Sequence, residues 1–209
     1  MTQQAANIQP TKDILVTGHP RSGTGYMSAL MISLGMHIRH ERMGMHGTSS
    51  WVCAPPKPGM VPYGCSRGDI HFNNLIHVVR HPLKVIASSG YTQFGHGTHR
   101  NRMINFMSRF ILIHKTEKPI YQATQSYIGW NRLIGSQAPD IRVQAETAYH
   151  EIIQYLEEKG FELEVGDPPP NNVNWRKHHQ FTSAELKDQI GVELFNALQD
   201  SAGEYGYEL

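Results

Sequence analysis

The stretch Gly18-His19-Pro20-Arg21-Ser22-Gly23-Thr24-Gly25 carries three glycines, a permanent cation and two hydroxyls within eight residues. Such a set can cradle an anion. Glycines let backbone N–H groups turn inward, the guanidinium and hydroxyls donate, and a helix starting just beyond adds a partial positive charge. The spacing Gly18-x4-Gly23 matches the opening of a Walker A loop, but Thr24 stands where that loop requires lysine. A magnesium-dependent nucleotide hydrolase would lack its main phosphate cation here. Arg21 instead brings a cation into the loop itself. The bland alternative is a glycine-rich turn with no ligand, and the strand–loop–helix context argues against it.

A second anion motif follows. Val78-Val79-Arg80-His81-Pro82-Leu83-Lys84-Val85-Ile86-Ala87-Ser88 reads as a strand end leading into a helix, with a serine eight positions after the arginine. An arginine fork and a hydroxyl together suit a phosphate. Arg80 could equally cap its strand and pair with a surface carboxylate. Taken together, the two motifs resemble those of the PAPS-dependent sulfotransferases. Pro20-Arg21-Ser22-Gly23-Thr24 is similar to that family's 5′-phosphosulfate loop, and Arg80 with Ser88 to its 3′-phosphate segment.

The resemblance implies a P-loop-NTPase-like three-layer α/β fold, with a central parallel sheet flanked by helices. It implies transfer of a sulfuryl group from PAPS (3′-phosphoadenosine 5′-phosphosulfate) to an acceptor hydroxyl, releasing adenosine 3′,5′-bisphosphate. Arg21, Ser22, Gly23, Thr24 and Gly25 would hold the 5′-phosphate, Arg21 also stabilising the leaving group. Arg80 and Ser88 would hold the 3′-phosphate. Arg176 and Lys177, after the proline turn, fall where family members bring a late basic segment to the cofactor. The match covers the first 90 residues well and the rest loosely. Tyr205-Gly206-Tyr207 resembles an ending common in bacterial relatives and is expected to be structural.

Transfer to a hydroxyl also needs a base. Ile38-Arg39-His40-Glu41, followed by Gly47-Thr48-Ser49-Ser50-Trp51, resembles the region from which the family's glutamate-type enzymes draw theirs. Glu41 is therefore expected to take the acceptor's proton, which requires partial burial to raise its basicity. The alternative is a solvated carboxylate paired with Arg39 or Arg42. His40 and His46 are the other candidates, since an imidazole titrates near neutrality.

Of the thirteen histidines, His37, His40, His46, His71, His77, His81, His178 and His179 invite a zinc reading. None shows a His-Glu-x-x-His register or a Cys/His box, and no metal site is expected. Trp51, Tyr91, Phe94 and Trp130 could wall an acceptor pocket. Trp130 also sits at helical spacing with Tyr127, Leu133 and Ile134, which favours a core position. Lys84 and Arg67 are read as solvated.

These groups need a scaffold. Ile14–Val16 reads as a buried parallel strand, and Met27, Leu30, Met31 and Leu34 give the following helix its apolar face. Leu75–Val79 and Ile141–Val143 are further strands, and Pro82 suits the first turn of a helix. Residues 44–70 read as loop or lid, and 90–102 as loop. Helical patterns are expected at about 103–114, 121–135, 147–159 and within 183–202, with Gly160 closing the third.

The 209-residue chain reads as a single domain, 1–209, with a flexible terminus at 1–12. A formal net charge of +1 gives no global field for nucleic acid or a membrane surface. Cys53 and Cys65 are too few for a disulfide framework and read as free thiols, one bridge staying open. The terminus lacks a basic-then-apolar signal, so a cytoplasmic location is expected. A hydroxyl-bearing carbohydrate, peptide or small molecule is the expected acceptor. The competing readings are a P-loop kinase or nucleotide hydrolase, and an inactive nucleotide-binding module of the same fold.

Overall fold

The computed structural model describes residues 10–56, 67–68, 70–95, 97–170 and 179–209. Five strands form one all-parallel sheet: β1 (Thr11–Thr17), β2 (Ile38–His40), β3 (Gly47–Ser49), β4 (His71–Val79) and β5 (Ile141–Gln144), in the order β2-β3-β1-β4-β5. Seven helices are described: α1 (Thr24–Ser33), α2 (Pro82–Thr92), α3 (Gly97–Met107), α4 (Pro119–Gly135), α5 (Ala148–Glu158), α6 (Ser183–Ile190) and α7 (Val192–Gly203).

The two-residue period of the strands divides their side chains between two cores. Ile14, Val16, Ile76, Val78 and Val143 face α1 and α5, packing on Met27, Leu30, Met31, Leu34, Ile152 and Leu156. Leu15 faces the other way, toward Val85 and Ile86 of α2, Tyr127 and Trp130 of α4, and the apolar residues of α3, α6 and α7. Because both faces are covered, the central strands read as unbroken apolar runs. The chain is an α/β protein whose parallel sheet is flanked by helices.

This division places the site. β1 and β4 are neighbours in register, Thr17 opposite His77. Yet the helix after β1 packs on one face of the sheet and the helix after β4 on the other. Two adjacent strands whose helices depart to opposite faces leave a crevice beyond their carboxyl ends, where ligands of open parallel sheets bind. The loops after β1 and β4 both open there.

Several expectations need correction. Residues 44–70 are not wholly irregular: β3 and a short 3-10 turn at Trp51–Cys53 lie within them. β3 is only three residues long, and Gly47 permits it, because a β-carbon there would stand 1.8 Å from the Ile14 carbonyl oxygen. Residues 90–102 are not a loop either. α2 runs to Thr92, and α3 begins at Gly97, holding its place with Met103, Ile104, Phe106 and Met107 while its polar first turns face solvent. The helix expected over 103–114 therefore ends at Met107. At the N-terminus Thr11 and Lys12 belong to β1, Lys12 Nζ donating to the Met45 carbonyl at 2.8 Å. Gly160, with φ of +80°, follows the last helical residues of α5 as expected.

Candidate functional site

Gly18–Gly23 carry the chain from β1 to α1 in a tight turn, Ser22 N–H donating to the His19 carbonyl at 2.9 Å. Gly18 lies so near β4 that a β-carbon would sit 2.2 Å from the Val78 carbonyl oxygen. Gly23 caps α1 in the left-handed region (φ +105°) and brings no side-chain acceptor to the helix start; the first turn holds no acid. The positive pole of α1 is thus left unneutralised by its own first turn. The Ser22 hydroxyl is fully buried within this turn and, among the described residues, has no hydrogen-bond partner. A buried orphan hydroxyl is costly, and a ligand oxygen seated in the turn would satisfy it.

Backbone strain concentrates at the same place. Among the described residues, Arg21 (φ +74°), Glu41 (φ +55°) and Ala138 (φ +49°) are the non-glycine residues with positive φ. Each left-handed residue bearing a β-carbon costs roughly 1–2 kcal/mol. Two of the three belong to this site.

The loop is fastened from below. Arg21 Nε donates to Ser88 Oγ at 2.9 Å, and Ser89 Oγ donates to the Pro20 carbonyl at 3.2 Å, so the middle of the turn is tied to α2 at two consecutive residues. His19 Nε2 lies 2.8 Å from Ser126 Oγ. Because that hydroxyl donates to the Ala123 carbonyl at 2.8 Å, the imidazole is the donor to Ser126. Burial pushes the His19 pKa down to about 3, so the ring is neutral and the cation in the loop is Arg21.

The carboxyl end of β2 supplies the base candidates. His40 Nε2 lies 3.2 Å from Thr24 Oγ1 and 3.5 Å from Glu41 Oε1. Burial, and then the nearby Arg21 guanidinium, lower the His40 pKa below its ordinary value. Glu41 Oε2 accepts from Ser50 Oγ at 2.7 Å, and its backbone N–H donates to the Ser49 carbonyl at 3.1 Å. Ser49 Oγ in turn donates to the Thr24 carbonyl at 2.6 Å. The Glu41 side chain is 23% exposed, half-buried rather than solvated. Its side chain contacts His40 and Ser50.

Arg80 follows β4 directly, at the same edge of the sheet. Its carbonyl accepts from Tyr127 Oη at 3.1 Å, and its Nε lies 3.9 Å from Glu146 Oε1. Lys84 Nζ is 3.6 Å from the same oxygen, so Lys84 is ion-paired rather than simply solvated. Arg67 is not solvated either: it lies over the Phe72 ring and donates to Gln137 Oε1 at 3.2 Å. Tyr207 Oη donates to Glu146 Oε2 at 2.9 Å, and the Tyr207 ring packs edge-on against His81.

The fold therefore gathers Arg21, Ser22, Gly23, Thr24, Gly25, His40, Glu41 and Arg80 at the carboxyl edge of β1, β2 and β4, and Ser88, in the body of α2, joins them through its bond to Arg21. Arg176, Lys177, His178 and Cys65 lie outside the described residues; Cys53 is buried. His46 is turned away, its Nδ1 accepting from the His37 N–H at 2.8 Å beyond the opposite end of β2. The aromatic pocket is corrected. Trp51, Phe94 and Trp130 are buried, Trp51 and Trp130 with ring centroids 5.9 Å apart in the core, and Tyr91 is exposed.

Four participants were given no role at the site by the sequence reading: His19, Ser50, Glu146 and Tyr207, the last expected to be structural only. Ser50 lay beside Glu41's expected segment and His19 inside the loop, so both could have been suspected. Glu146 and Tyr207 approach from distant positions with no local signal. Compared with known proteins, the chain matches no family model, no curated protein and no solved structure.

Proposed function

We propose that the chain is a sulfotransferase, moving a sulfuryl group from PAPS to an acceptor hydroxyl and releasing adenosine 3′,5′-bisphosphate. The observation carrying this reading is the 2.9 Å hydrogen bond from Arg21 to Ser88. The two motifs that suggest opposite ends of one doubly phosphorylated nucleotide are joined side chain to side chain. The strand order, with both motifs beside the β1–β4 crevice, supports a P-loop-like scaffold.

The residues present fit such a donor. The orphan Ser22 hydroxyl, the uncapped start of α1 and the Arg21 guanidinium offer donors to a 5′-phosphate. Arg80 and Lys84 offer cationic donors for a second phosphate, at present facing Glu146. PAPS would supply the reactive sulfuryl group. Arg21 and the positive pole of α1 would oppose the negative charge growing on the leaving phosphate, the kind of preset electrostatics that dominates transfer reactions. Glu41, oriented by Ser50 and lying beside His40, would take the acceptor's proton. Half-burial keeps this carboxylate from full hydration.

Calorimetric titration tests the reading directly. Adenosine 3′,5′-bisphosphate should bind without magnesium and more tightly than 5′-AMP, and Arg80→Ala should erase that preference. Binding of magnesium-ATP with no response to the bisphosphate would replace this reading with a kinase or hydrolase. Labelled-sulfate transfer from PAPS to phenol and sugar acceptors tests turnover.

A further inference from the structure

The carboxylate of Glu146 occupies a position that a ligand phosphate would contest. Arg80 Nε stands 3.9 Å and Lys84 Nζ 3.6 Å from Oε1, the His81 N–H donates to the same oxygen at 3.4 Å, and Tyr207 Oη donates to Oε2 at 2.9 Å. Two cations, a backbone N–H and a phenol thus converge on one anion.

The distances to the two cations are those of loose pairs, and the groups are about one-third to one-half exposed. Loose, partly exposed pairs are worth little on their own. Displacing the carboxylate from the cations is therefore cheap for a dianion that brings twice the charge. The tighter hold on Glu146 is Tyr207. Burial first, and the carboxylate second, push the Tyr207 hydroxyl above its ordinary pKa, so it stays a donor.

We infer that Glu146 is a built-in occupant of the anion seat formed by Arg80 and Lys84, and that a phosphate group entering this seat displaces it and loosens the C-terminal segment held through Tyr207. This inference rests on the nucleotide reading above and deepens it. Glu146 then sets how strongly the second phosphate is preferred, and the chain's last residues report whether the seat is filled. The fastening is local: Tyr207 N–H donates to the Ala202 carbonyl at 3.0 Å, and the Tyr205 carbonyl accepts from Gln144 Nε2 at 2.8 Å. Without the Tyr207 contact the segment keeps these two ties and the Arg142 bond to the Glu204 carbonyl at 3.4 Å, so its amides open more often.

The test measures affinities of adenosine 3′,5′-bisphosphate and 5′-AMP, at one fixed ionic strength, for the wild type, Glu146→Gln and Tyr207→Phe. Glu146→Gln should bind the bisphosphate about tenfold tighter, with 5′-AMP unchanged. Tyr207→Phe should shift the same way by a smaller factor. In the wild type, hydrogen exchange at residues 204–209 should rise on adding bisphosphate and stay constant with 5′-AMP. Unchanged or weaker bisphosphate binding by Glu146→Gln, in a wild type that does prefer the bisphosphate, would overturn the displacement while leaving the nucleotide reading intact. A wild type with no preference between the two ligands would overturn both.

Discussion

His40 and Thr24 link the end of β2 to the first residue of α1, Nε2 to Oγ1, at 3.2 Å. The Glu41 carboxylate stands 3.5 Å from the same nitrogen. A hydroxyl at the start of α1, an imidazole and a carboxylate thus lie in one line of contact. Within it, Glu41 is the group whose second oxygen is already oriented by Ser50.

The first prediction separates the two base candidates. Glu41→Gln should lower single-turnover transfer about 10²–10⁴-fold and leave bisphosphate affinity nearly unchanged. His40→Ala should cost less. Since burial and Arg21 hold His40 below its ordinary pKa, its ring carbon protons should titrate below pH 6.5 by NMR, leaving it neutral at pH 7. Full activity in Glu41→Gln together with loss in His40→Ala would move the role to the imidazole.

Arg21 offers a second, separable test. At φ of +74°, glycine is at ease and alanine is strained. Both Arg21→Gly and Arg21→Ala lose the bond to Ser88 and the cation. Their difference should therefore isolate the backbone: Arg21→Gly more stable than Arg21→Ala by about 1 kcal/mol in urea denaturation. Both should lose nucleotide affinity alike. Equal stability of the two variants would mean that the loop relaxes once the arginine is gone.

A third prediction concerns the close approach at the loop's entrance. Gly18→Ala would drive a β-carbon to 2.2 Å from the Val78 carbonyl oxygen and 2.9 Å from Val78 Cγ1. Val78 lies in a central strand buried on both faces, so neither strand can yield cheaply. Overpacking of this kind costs about 1–3 kcal/mol. Denaturation midpoints should fall accordingly, and bisphosphate affinity with them, because the turn that presents Ser22 would shift.

How much of this was legible from the residues depends on length scale. The strand, loop and helix around Gly18–Gly25 are local: an apolar run, a glycine turn and a helical stripe announce themselves within 21 residues. β2 and β3 are three residues each, shorter than a period-2 pattern can reveal, and Gly47 disguised β3 as a turn. α3 hid because its first turns are polar and its burial begins at Met103. Trp51 and Phe94 looked like pocket walls because an aromatic residue in an irregular segment gives no sign of its neighbours. Both pack into the core beneath α4. The Glu146 contact joins residues about 61 positions apart to Tyr207 and 65 to the His81 backbone, and no local pattern encodes such a meeting.

The fourth prediction follows from two buried imidazoles. Burial lowers His19 to about 3 and His77 to about 4, the latter opposed by its bond to Asn131 and assisted by Arg142. In the unfolded chain both titrate near 6.5. Between those values the unfolded state binds more protons than the folded state, so stability rises with pH. Both histidines are neutral in either state above about pH 7.5, and there the contribution is flat. As pH falls from 6.5 toward 4, each should withdraw stability at up to about 1.4 kcal/mol per pH unit. The lowered pKa of His40 and His81 acts in the same direction. Urea denaturation at a series of pH values should show this slope, and His77→Gln should remove roughly half of the part due to the two buried rings. An unchanged slope in a His19→Gln, His77→Gln double variant would mean that the acid sensitivity arises elsewhere, and that His19 does not enter the fold as the neutral donor to Ser126 beneath the Gly18–Gly23 turn.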